Sequence, residues 1–265
     1  MSSQHRLIDD EGYYIKSRTI IAVGKETVIV RRGDVAIKIP VIYDHSTPEE
    51  VKEHRRFTRL EQEVWKRVQR NFHTPVEGIV QCLGLPGRTI EMRYMSGGTI
   101  ENWIEQHTPC YQLQLQWFRQ LATGLHNLHR RRVLHRDLLA RNILLDDSLN
   151  AEIMDLGASK IMPMDTVMAH AVDSSDCSIW TDLCQLGLVF YEIVTQRQPN
   201  IALFYYNSQN VQITRFPSRG MLPIMSRKLW ARDIIETCWK KGGYGSSGAS
   251  GILKKLDEIE CSCRH

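Results

Sequence analysis

The stretch "VLHRDLLARNILL" at residues 133–145 places charged and amide side chains between two aliphatic runs. Asp137 and Asn142 are five residues apart in it, and a second short stretch, "DLG", begins at Asp155. Carboxylate and amide oxygens are the ligands that Mg²⁺ prefers, so this set could hold the ion and leave one carboxylate for other chemistry. A polar network that ties a turn together is the alternative. It accounts for one such residue more easily than for the whole ordered set.

The composition is that of an ordinary globular protein. The chain has 265 residues, of which 42% are hydrophobic and 24% charged, and a formal net charge of +4. This mild charge, without a long Lys/Arg run, argues against a nucleic-acid partner. The longest apolar run, 186–194, is too short to span a membrane, and the N-terminus lacks an apolar signal sequence. Scattered cysteines favour reduced thiols, so we expect a soluble protein of the cytoplasm or nucleus. Nothing in the sequence indicates an oligomeric state.

Residues 19–95 have the pattern of a small β lobe. The Val- and Ile-rich segment 19–40 predicts three short antiparallel strands, with a hairpin at Gly33-Asp34. A Ser/Thr cap and an early proline at 46–48 then predict a helix, with Leu60, Val64 and Val68 on one face. Further strands are predicted at 79–83 and 89–95.

The chain becomes mostly helical after the "SGG" at 96–98. An apolar stripe at helical spacing marks 113–129, and 179–195 is apolar nearly all round, as in a buried helix. Another helix is predicted at 226–240, and a flexible insert at 242–251 precedes a last helix. The fold class is therefore α+β. A small antiparallel β lobe with one helix is joined to a larger, mostly helical lobe, which predicts a cleft between them.

Five motifs in this order resemble those of the eukaryotic protein kinase family, over residues 19–260. They are "VAIK" at 35–38, "EMRYMSGG" at 91–98, "HRDLLARN" at 135–142, "DLG" at 155–157 and "DLCQLG" at 182–187. The resemblance implies a bilobal protein-kinase-like fold in a single domain over 1–265. Its parts would be an N-terminal flank 1–18, an N-lobe 19–95 and a C-lobe 96–265.

The resemblance also implies roles in phosphate transfer from ATP. Lys38 would hold the α- and β-phosphates, paired with Glu61. Glu63 is the competing choice, and the phase of "EQEVWKRV" against kinase sequences favours Glu61. Asp137 would orient the acceptor hydroxyl and take its proton. The Mg²⁺ ligands would be Asn142 and Asp155, and the other catalytic-loop residues would be Arg136 and Arg141.

The adenine site is implied in the same way. The stretch 91–98 looks like the hinge, so the backbone of Arg93 and Met95 would meet the adenine edge, with Met92 as gatekeeper. Ala36 above and Leu144 below would enclose the base. Asp182 matches the buried aspartate that anchors the catalytic-loop backbone in this family.

Two departures from the family pattern bear on activity. Only Gly24 remains of the glycine-rich phosphate loop, which reads "GKETVIV" here, so we expect weakened ATP binding. No A-P-E motif follows "DLG", and the region of its usual arginine partner, "KKGGYGSSGASG", contains no arginine. Loss of both partners avoids a lone buried charge, so the fold can survive while the substrate platform changes.

The function implied is an ATP- and Mg²⁺-dependent protein kinase that acts on a protein substrate. Leu139 and Arg141 resemble the tyrosine-kinase loop, but we favour serine/threonine or dual specificity. A pseudokinase that serves as a nucleotide-binding scaffold or allosteric module is the alternative. A small-molecule phosphotransferase of related fold is the second alternative, and Arg136 argues against it, since such enzymes usually carry a small residue there.

Regulation by phosphorylation is the remaining expectation. In active kinases an arginine at the place of Arg136 often pairs with a phosphate on the following segment. Thr166, Ser174 and Ser175 are the candidates here. The segment is short and has less entropy to lose on ordering, so we expect low, constitutive activity that is independent of phosphorylation.

Overall fold

The structure, a computed structural model, describes residues 6–201, 203–206, 212–214 and 216–262. The chain divides into two compact units. The first comprises Met1–Val76 and Val80–Tyr94, and the second comprises Glu77–Ile79 and Met95–His265. In the described part of the chain no helix is long and apolar enough to cross a membrane.

The first unit is built on a five-stranded antiparallel sheet in the order β1-β2-β3-β5-β4. The strands are β1 (Ile20–Val23), β2 (Thr27–Arg32), β3 (Val35–Pro40), β4 (Cys82–Gly84) and β5 (Ile90–Arg93). The predicted hairpin is confirmed: Arg32 pairs with Val35, and Gly33 takes the positive φ of +62° that such a two-residue turn requires. One face of the sheet carries an apolar cluster of Val28, Ile37, Ile39 and Val41.

The helix α1 (Pro48–Val68) begins as its sequence predicts. Thr47 caps it, and Thr47 and Glu50 exchange side-chain and backbone hydrogen bonds in a capping box. The predicted apolar face is wrong at Leu60, which is 49% exposed. Each step of four residues turns the helix by about 400°, so a series of such steps drifts around the surface. The buried face instead carries Glu61, Val64, Trp65 and Val68.

The second unit is mostly helical and contains short strands. Its described helices are α2 (Ile100–Gln106), α3 (Tyr111–Arg130), α4 (Ile179–Thr195), α5 (Arg232–Cys238) and α6 (Ala249–Ser262). Its described strands are β6 (Gly98–Thr99), β7 (Val133–Leu134), β8 (Ile143–Leu145), β9 (Ala151–Ile153), β10 (Lys160–Ile161), β11 (Phe204–Tyr206) and β12 (Gln212–Thr214). They form the sheets β6-β8-β9, β10-β7 and β11-β12, all antiparallel.

The core of this unit lies where α3 packs against α4. The apolar stripe predicted for α3 is confirmed, and the stacked rings of Phe118 and Phe190 join the two helices with centroids 3.7 Å apart. The α4 helix is buried nearly all round, as its sequence predicts. The predicted α+β fold class, with an antiparallel sheet in the N-terminal unit and mostly helices in the C-terminal unit, is therefore confirmed.

The predictions near the C-terminus were partly wrong. The helix expected at 226–240 is limited to α5 (Arg232–Cys238). The expected flexible insert at 242–251 instead forms a 3-10 turn at Gly245–Ser247 and the start of α6. Glycine here allows two backbone segments to pack closely, because a Cβ at Gly243 would overlap the carbonyl oxygen of Thr237 on α5.

Candidate active site

A buried ion pair lies under the sheet of the first unit. Strand alternation sends Ile37 and Ile39 into the apolar cluster and Lys38 to the opposite face. There the Lys38 Nζ lies 2.7 Å from Glu61 Oε2, with side chains only 5% and 2% exposed. Burying two charges costs several kcal/mol each before their attraction is counted. Such a pair is therefore weak evidence for stability and marks a candidate functional site.

The neighbouring acid on α1 has a different environment. Glu63 is exposed and pairs with Lys66 one helical turn later, at 2.7 Å. The carboxylate that meets Lys38 is thus that of Glu61, the residue that the resemblance to kinase sequences favours. The two glutamates provide a matched pair for mutational tests, since they lie two residues apart on one helix.

The connection between β1 and β2 is short. It consists of Gly24, Lys25 and Glu26, and the Gly24 N–H donates to Thr27 O at 2.8 Å to close it. The Lys25 Nζ lies 3.5 Å from Glu26 Oε1, and the side chain of Lys25 is almost fully exposed. The degraded glycine motif therefore folds as a tight turn rather than as a long flap.

The proposed adenine-binding residues of the first unit lie on adjacent strands. Ala36 of β3 pairs in register with Met92 of β5, and Met92 is buried. The N–H of Arg93 donates to Gln81 O at 2.9 Å, so any further main-chain contact of this residue would have to use its carbonyl oxygen. Met95, which is also buried, begins the second unit.

In the second unit a hairpin brings the two oxygen ligands of the sequence prediction to one end. Asn142 directly precedes β8 and Asp155 follows β9 by two residues, while Ile143 pairs with Ile153. The N–H of Met154 donates to Asn142 O at 2.9 Å and continues the pairing past the strand ends. Asn142 and Asp155, which are 13 positions apart in sequence, therefore lie at the same end of the small sheet. Leu144, between them on β8, pairs with Thr99 and Glu152.

Asp137 is oriented by Asn142. The Asn142 Nδ2 donates to Asp137 Oδ2 at 2.9 Å and to the Asp137 carbonyl at 2.8 Å. Both amide hydrogens are thereby used, so Asn142 could bind a cation only through Oδ1. Arg141 Nη2 approaches the same Asp137 carboxylate at 3.7 Å but is 57% exposed, so this pair contributes little to stability.

The "DLG" stretch has the backbone conformation of a constrained site. Asp155 has φ +58°, and its Oδ1 accepts the Gly157 N–H at 3.2 Å. A positive φ at a non-glycine residue costs about 1–3 kcal/mol and is concentrated at functional sites. Leu156 is fully buried and supplies the apolar anchor that holds Asp155 in this turn.

Asp182 anchors the loop that carries Asp137. Its side chain on α4 is fully buried and accepts the N–H groups of His135 at 2.9 Å and Arg136 at 2.8 Å. His129 Nε2 lies 2.8 Å from its Oδ2. The predicted anchoring aspartate is confirmed. It stabilises the positive φ of +72° at Arg136, the residue directly before Asp137.

One partner of this loop was missed by the sequence analysis. Asp173 has a side chain that is 1% exposed, and its Oδ2 lies 3.3 Å from Arg136 Nε. Its Oδ1 accepts the N–H groups of Ser175 and Cys177 at 2.8 and 2.9 Å. Asp173 lies in segment 155–178, which we call the activation segment. The available signal was an acid next to the two candidate serines, but a sequence pattern cannot show which acid meets an arginine.

The donor set suits a hard divalent cation. Within the described residues no group of three or more His, Cys, Asp or Glu side chains could hold a metal by itself. Asn142 and Asp155 offer one amide and one carboxylate oxygen, which matches Mg²⁺ held by few protein ligands together with substrate phosphates. Soft transition-metal ligands do not occur among them.

Residues 29–244 match a family model described as protein tyrosine and serine/threonine kinase. A probable serine/threonine-protein kinase of Dictyostelium discoideum is 24% identical over 196 residues, which cover 67% of this chain and 21% of that protein. A mitogen-activated protein kinase kinase kinase of Caenorhabditis elegans is 30% identical over 149 residues, or 49% of this chain and 16% of that protein. The chain thus spans about a fifth or less of the length of these relatives.

Proposed function

The chain belongs to the protein tyrosine and serine/threonine kinase family, and we propose that it transfers the γ-phosphate of ATP to a protein hydroxyl group. The observation that carries the proposal is the buried pair of Lys38 and Glu61 at 2.7 Å. A buried ion pair costs more to desolvate than an apolar contact of similar size, so stability alone does not explain it, whereas phosphate binding needs a lysine at this place. The free thiols among the described cysteines favour a reducing compartment, and we propose the cytoplasm.

The residues proposed to bind the nucleotide are those that the family resemblance implies. Lys38 would contact the α- and β-phosphates, and Gly24 would bring the backbone of the β1–β2 turn toward them. The main chain of Arg93 and Met95 would hydrogen-bond the adenine edge, beside the gatekeeper Met92. The residues enclosing the base would be Ala36 and Leu144.

The transfer step needs orientation and charge placement more than covalent chemistry. Since Asn142 holds Asp137 Oδ2, Asp137 Oδ1 is the oxygen that would accept the hydroxyl proton. The bond from the acceptor oxygen to the γ-phosphorus forms, the bond to the bridging oxygen breaks, and ADP leaves with that electron pair. Asn142 and Asp155 would hold Mg²⁺, which offsets phosphate charge when bound. Arg136, which directly precedes Asp137, and Arg141, which approaches its carboxylate, would help to position Asp137.

Serine or threonine is the proposed acceptor. The relatives reported above include one named as a probable serine/threonine-protein kinase. Leu139 and Arg141 resemble the tyrosine-kinase loop, so a peptide array carrying all three acceptor residues is the direct test. Phosphate on tyrosine peptides alone would reverse this part of the proposal.

A nucleotide-binding pseudokinase is the second candidate, and one observation favours it. The β1–β2 turn is closed after three residues, so few backbone N–H groups can reach phosphate. Such a chain would bind nucleotide without transferring phosphate. Binding and transfer therefore have to be measured separately.

The binding experiment is a thermal unfolding titration with MgATP. A ligand at about 100 times its dissociation constant stabilises the folded state by ~2.7 kcal/mol, or roughly 5–10 °C for a chain of this size. We expect this shift to require Mg²⁺ and to be lost in Asp155→Ala. The matched control is Asp147→Ala, which removes an exposed aspartate of the same β8–β9 hairpin. A folded wild-type chain that shows no shift at millimolar MgATP would contradict the proposal.

A further inference from the structure

The N-terminal flank is attached to the first unit by backbone pairing. We call residues 6–16 the N-terminal strap. The Ile8 N–H donates to Ile42 O at 2.9 Å, and the Asp44 N–H donates to Arg6 O at 3.1 Å. The strap therefore runs beside the chain that leads from β3 into α1. It also folds back on itself, since the Ile15 N–H donates to Leu7 O at 2.9 Å.

Asp10, at the tip of the strap, binds two arginines from different elements. Its Oδ1 accepts Arg55 Nε at 2.7 Å and lies 2.6 Å from Arg55 Nη2, and Arg55 is on α1. Its Oδ2 accepts Arg88 Nη1, in the turn that leads into β5, at 2.5 Å. Burial alone would raise the pKa of Asp10, but hydrogen bonds from Arg88 and Arg55 outweigh it and the pKa is lowered. The carboxylate is thus ionised at neutral pH and engaged on both oxygens.

Leu7 and Ile15 of the strap pack against the apolar cluster of the sheet, and the side chain of Asp10 adds two charged contacts at the tip. A cavity of about 460 Å³ lies beside it, lined by Asp10, Ile15, Ile37, Ile39 and Glu91 among others. This space is an open groove at the surface, and the two arginine contacts of Asp10 cross its rim to α1 and to the turn before β5.

The same helix carries Arg55 and Glu61, six residues apart. A hydrogen-bonded helix moves as a rigid element, so a shift of the Arg55 end displaces Glu61 as well. The Glu61–Lys38 contact of 2.7 Å leaves little room for displacement. Asp10 ties that helix to the turn before β5, and β5 pairs directly with β3, the strand of Lys38. The strap thereby connects both partners of the ion pair.

We propose that Asp10 is a positioning residue for phosphate transfer, which holds α1 at the sheet through Arg55 and Arg88 so that Glu61 stays on Lys38. The inference rests on the proposed function for its catalytic consequence, but not for its structural part. The strap would then contribute to phosphate transfer through the position of α1. Loss or displacement of the strap would lower activity without a change in any residue that meets ATP.

The structural part is tested by amide hydrogen exchange on the full-length chain without nucleotide. We expect Asp10→Asn to raise exchange in α1 (Pro48–Val68) by about tenfold and to leave α3 unchanged. The matched control is Asp9→Asn. Asp9 Oδ1 accepts the N–H groups of Glu11 and Tyr13 within the strap, and the side-chain oxygen of asparagine can accept them too. Unchanged α1 exchange in Asp10→Asn, or an equal rise in both variants, would overturn the proposal.

The catalytic part is tested by the rate of phosphate transfer. Asp10→Asn should lower kcat/KM for ATP by about tenfold, whereas Asp10→Glu, which keeps the charge, should stay within about threefold of wild type. Equal losses in the two variants would show that charge is not what positions α1 and would overturn the proposal. If the wild-type chain itself transfers no phosphate, the proposed function fails, and hydrogen exchange alone decides the role of Asp10.

Discussion

Replacement of Asp182 by asparagine should destabilise the second unit strongly, because the carboxylate serves three donors. They are the N–H groups of His135 and Arg136 and the ring nitrogen of His129, at 2.9, 2.8 and 2.8 Å. Asparagine has the same shape but carries one acceptor oxygen and one donor group. In either amide orientation, at least one of the two backbone N–H groups faces an NH₂ and loses its acceptor.

The magnitude follows from that geometry. A buried donor left without an acceptor costs about 1–3 kcal/mol, and hydrogen bonds to a charged acceptor are worth roughly twice neutral ones. One lost bond and the weakening of the others give a loss of about 3 kcal/mol. Alanine would orphan all three donors and approach the roughly 5–15 kcal/mol net stability of a typical protein, so Asp182→Asn is the informative change.

Urea unfolding monitored by tryptophan fluorescence measures this loss. Of the six tryptophans, only Trp65 lies in the first unit, so the signal reports mainly on the unit that contains Asp182. The expected loss lowers the midpoint by about 1 M for an m-value near 3 kcal/mol/M. The control Asp147→Asn, at an exposed site, should stay within about 0.5 kcal/mol of wild type. A change of that small size in Asp182→Asn would refute the anchoring role.

Two further predictions concern regulation and pH. The activation segment already supplies a carboxylate to the catalytic loop, so Thr166→Ala and the double variant Ser174→Ala/Ser175→Ala should lose less than tenfold in transfer rate, before and after phosphatase treatment. A larger loss, equivalent to more than ~1.4 kcal/mol of barrier, would reveal a phosphorylation switch. Burial, with Glu101 nearby, raises the pKa of Glu192 to about 7 from 4.5. Its protonated form therefore favours the folded state, and that contribution is lost as pH rises from about 4.5 through 7. Because glutamine does not ionise, Glu192→Gln should lack this loss, which amounts to up to ~3 kcal/mol of the free energy of unfolding by urea at pH 8. If wild type and Glu192→Gln show the same dependence of unfolding free energy on pH, the prediction is wrong.

Local patterns were sufficient for much of the fold. The hairpin at Gly33-Asp34 and the capping box at Thr47 and Glu50 depend on neighbours within a few residues, so the sequence displays their causes. The choice of Glu61 over Glu63 as the acid that meets Lys38 came from the resemblance of "EQEVWKRV" to kinase sequences, not from helical periodicity, and the structure has Glu61 at Lys38.

Contacts between distant segments were outside the reach of such patterns. Asp10 meets Arg88 across 78 positions, and no local rule pairs them. Asp173 meets Arg136 for the same kind of reason, since tertiary packing selects the acid. Glycine content misled at 242–251, because glycine serves tight packing as well as flexibility. The roles of the nucleotide-site residues stay predictions, since they depend on a bound ligand.

Transfer of radiolabelled γ-phosphate from MgATP to a protein acceptor, with wild type and Asp137→Asn compared, is the most direct test of the account. Asp137 is proposed to meet the acceptor hydroxyl rather than the nucleotide, so the account predicts label transfer by wild type and loss of most of it in Asp137→Asn, with nearly unchanged MgATP affinity. Absence of transfer by a wild-type chain that binds MgATP, or equal transfer by the two proteins, would contradict it.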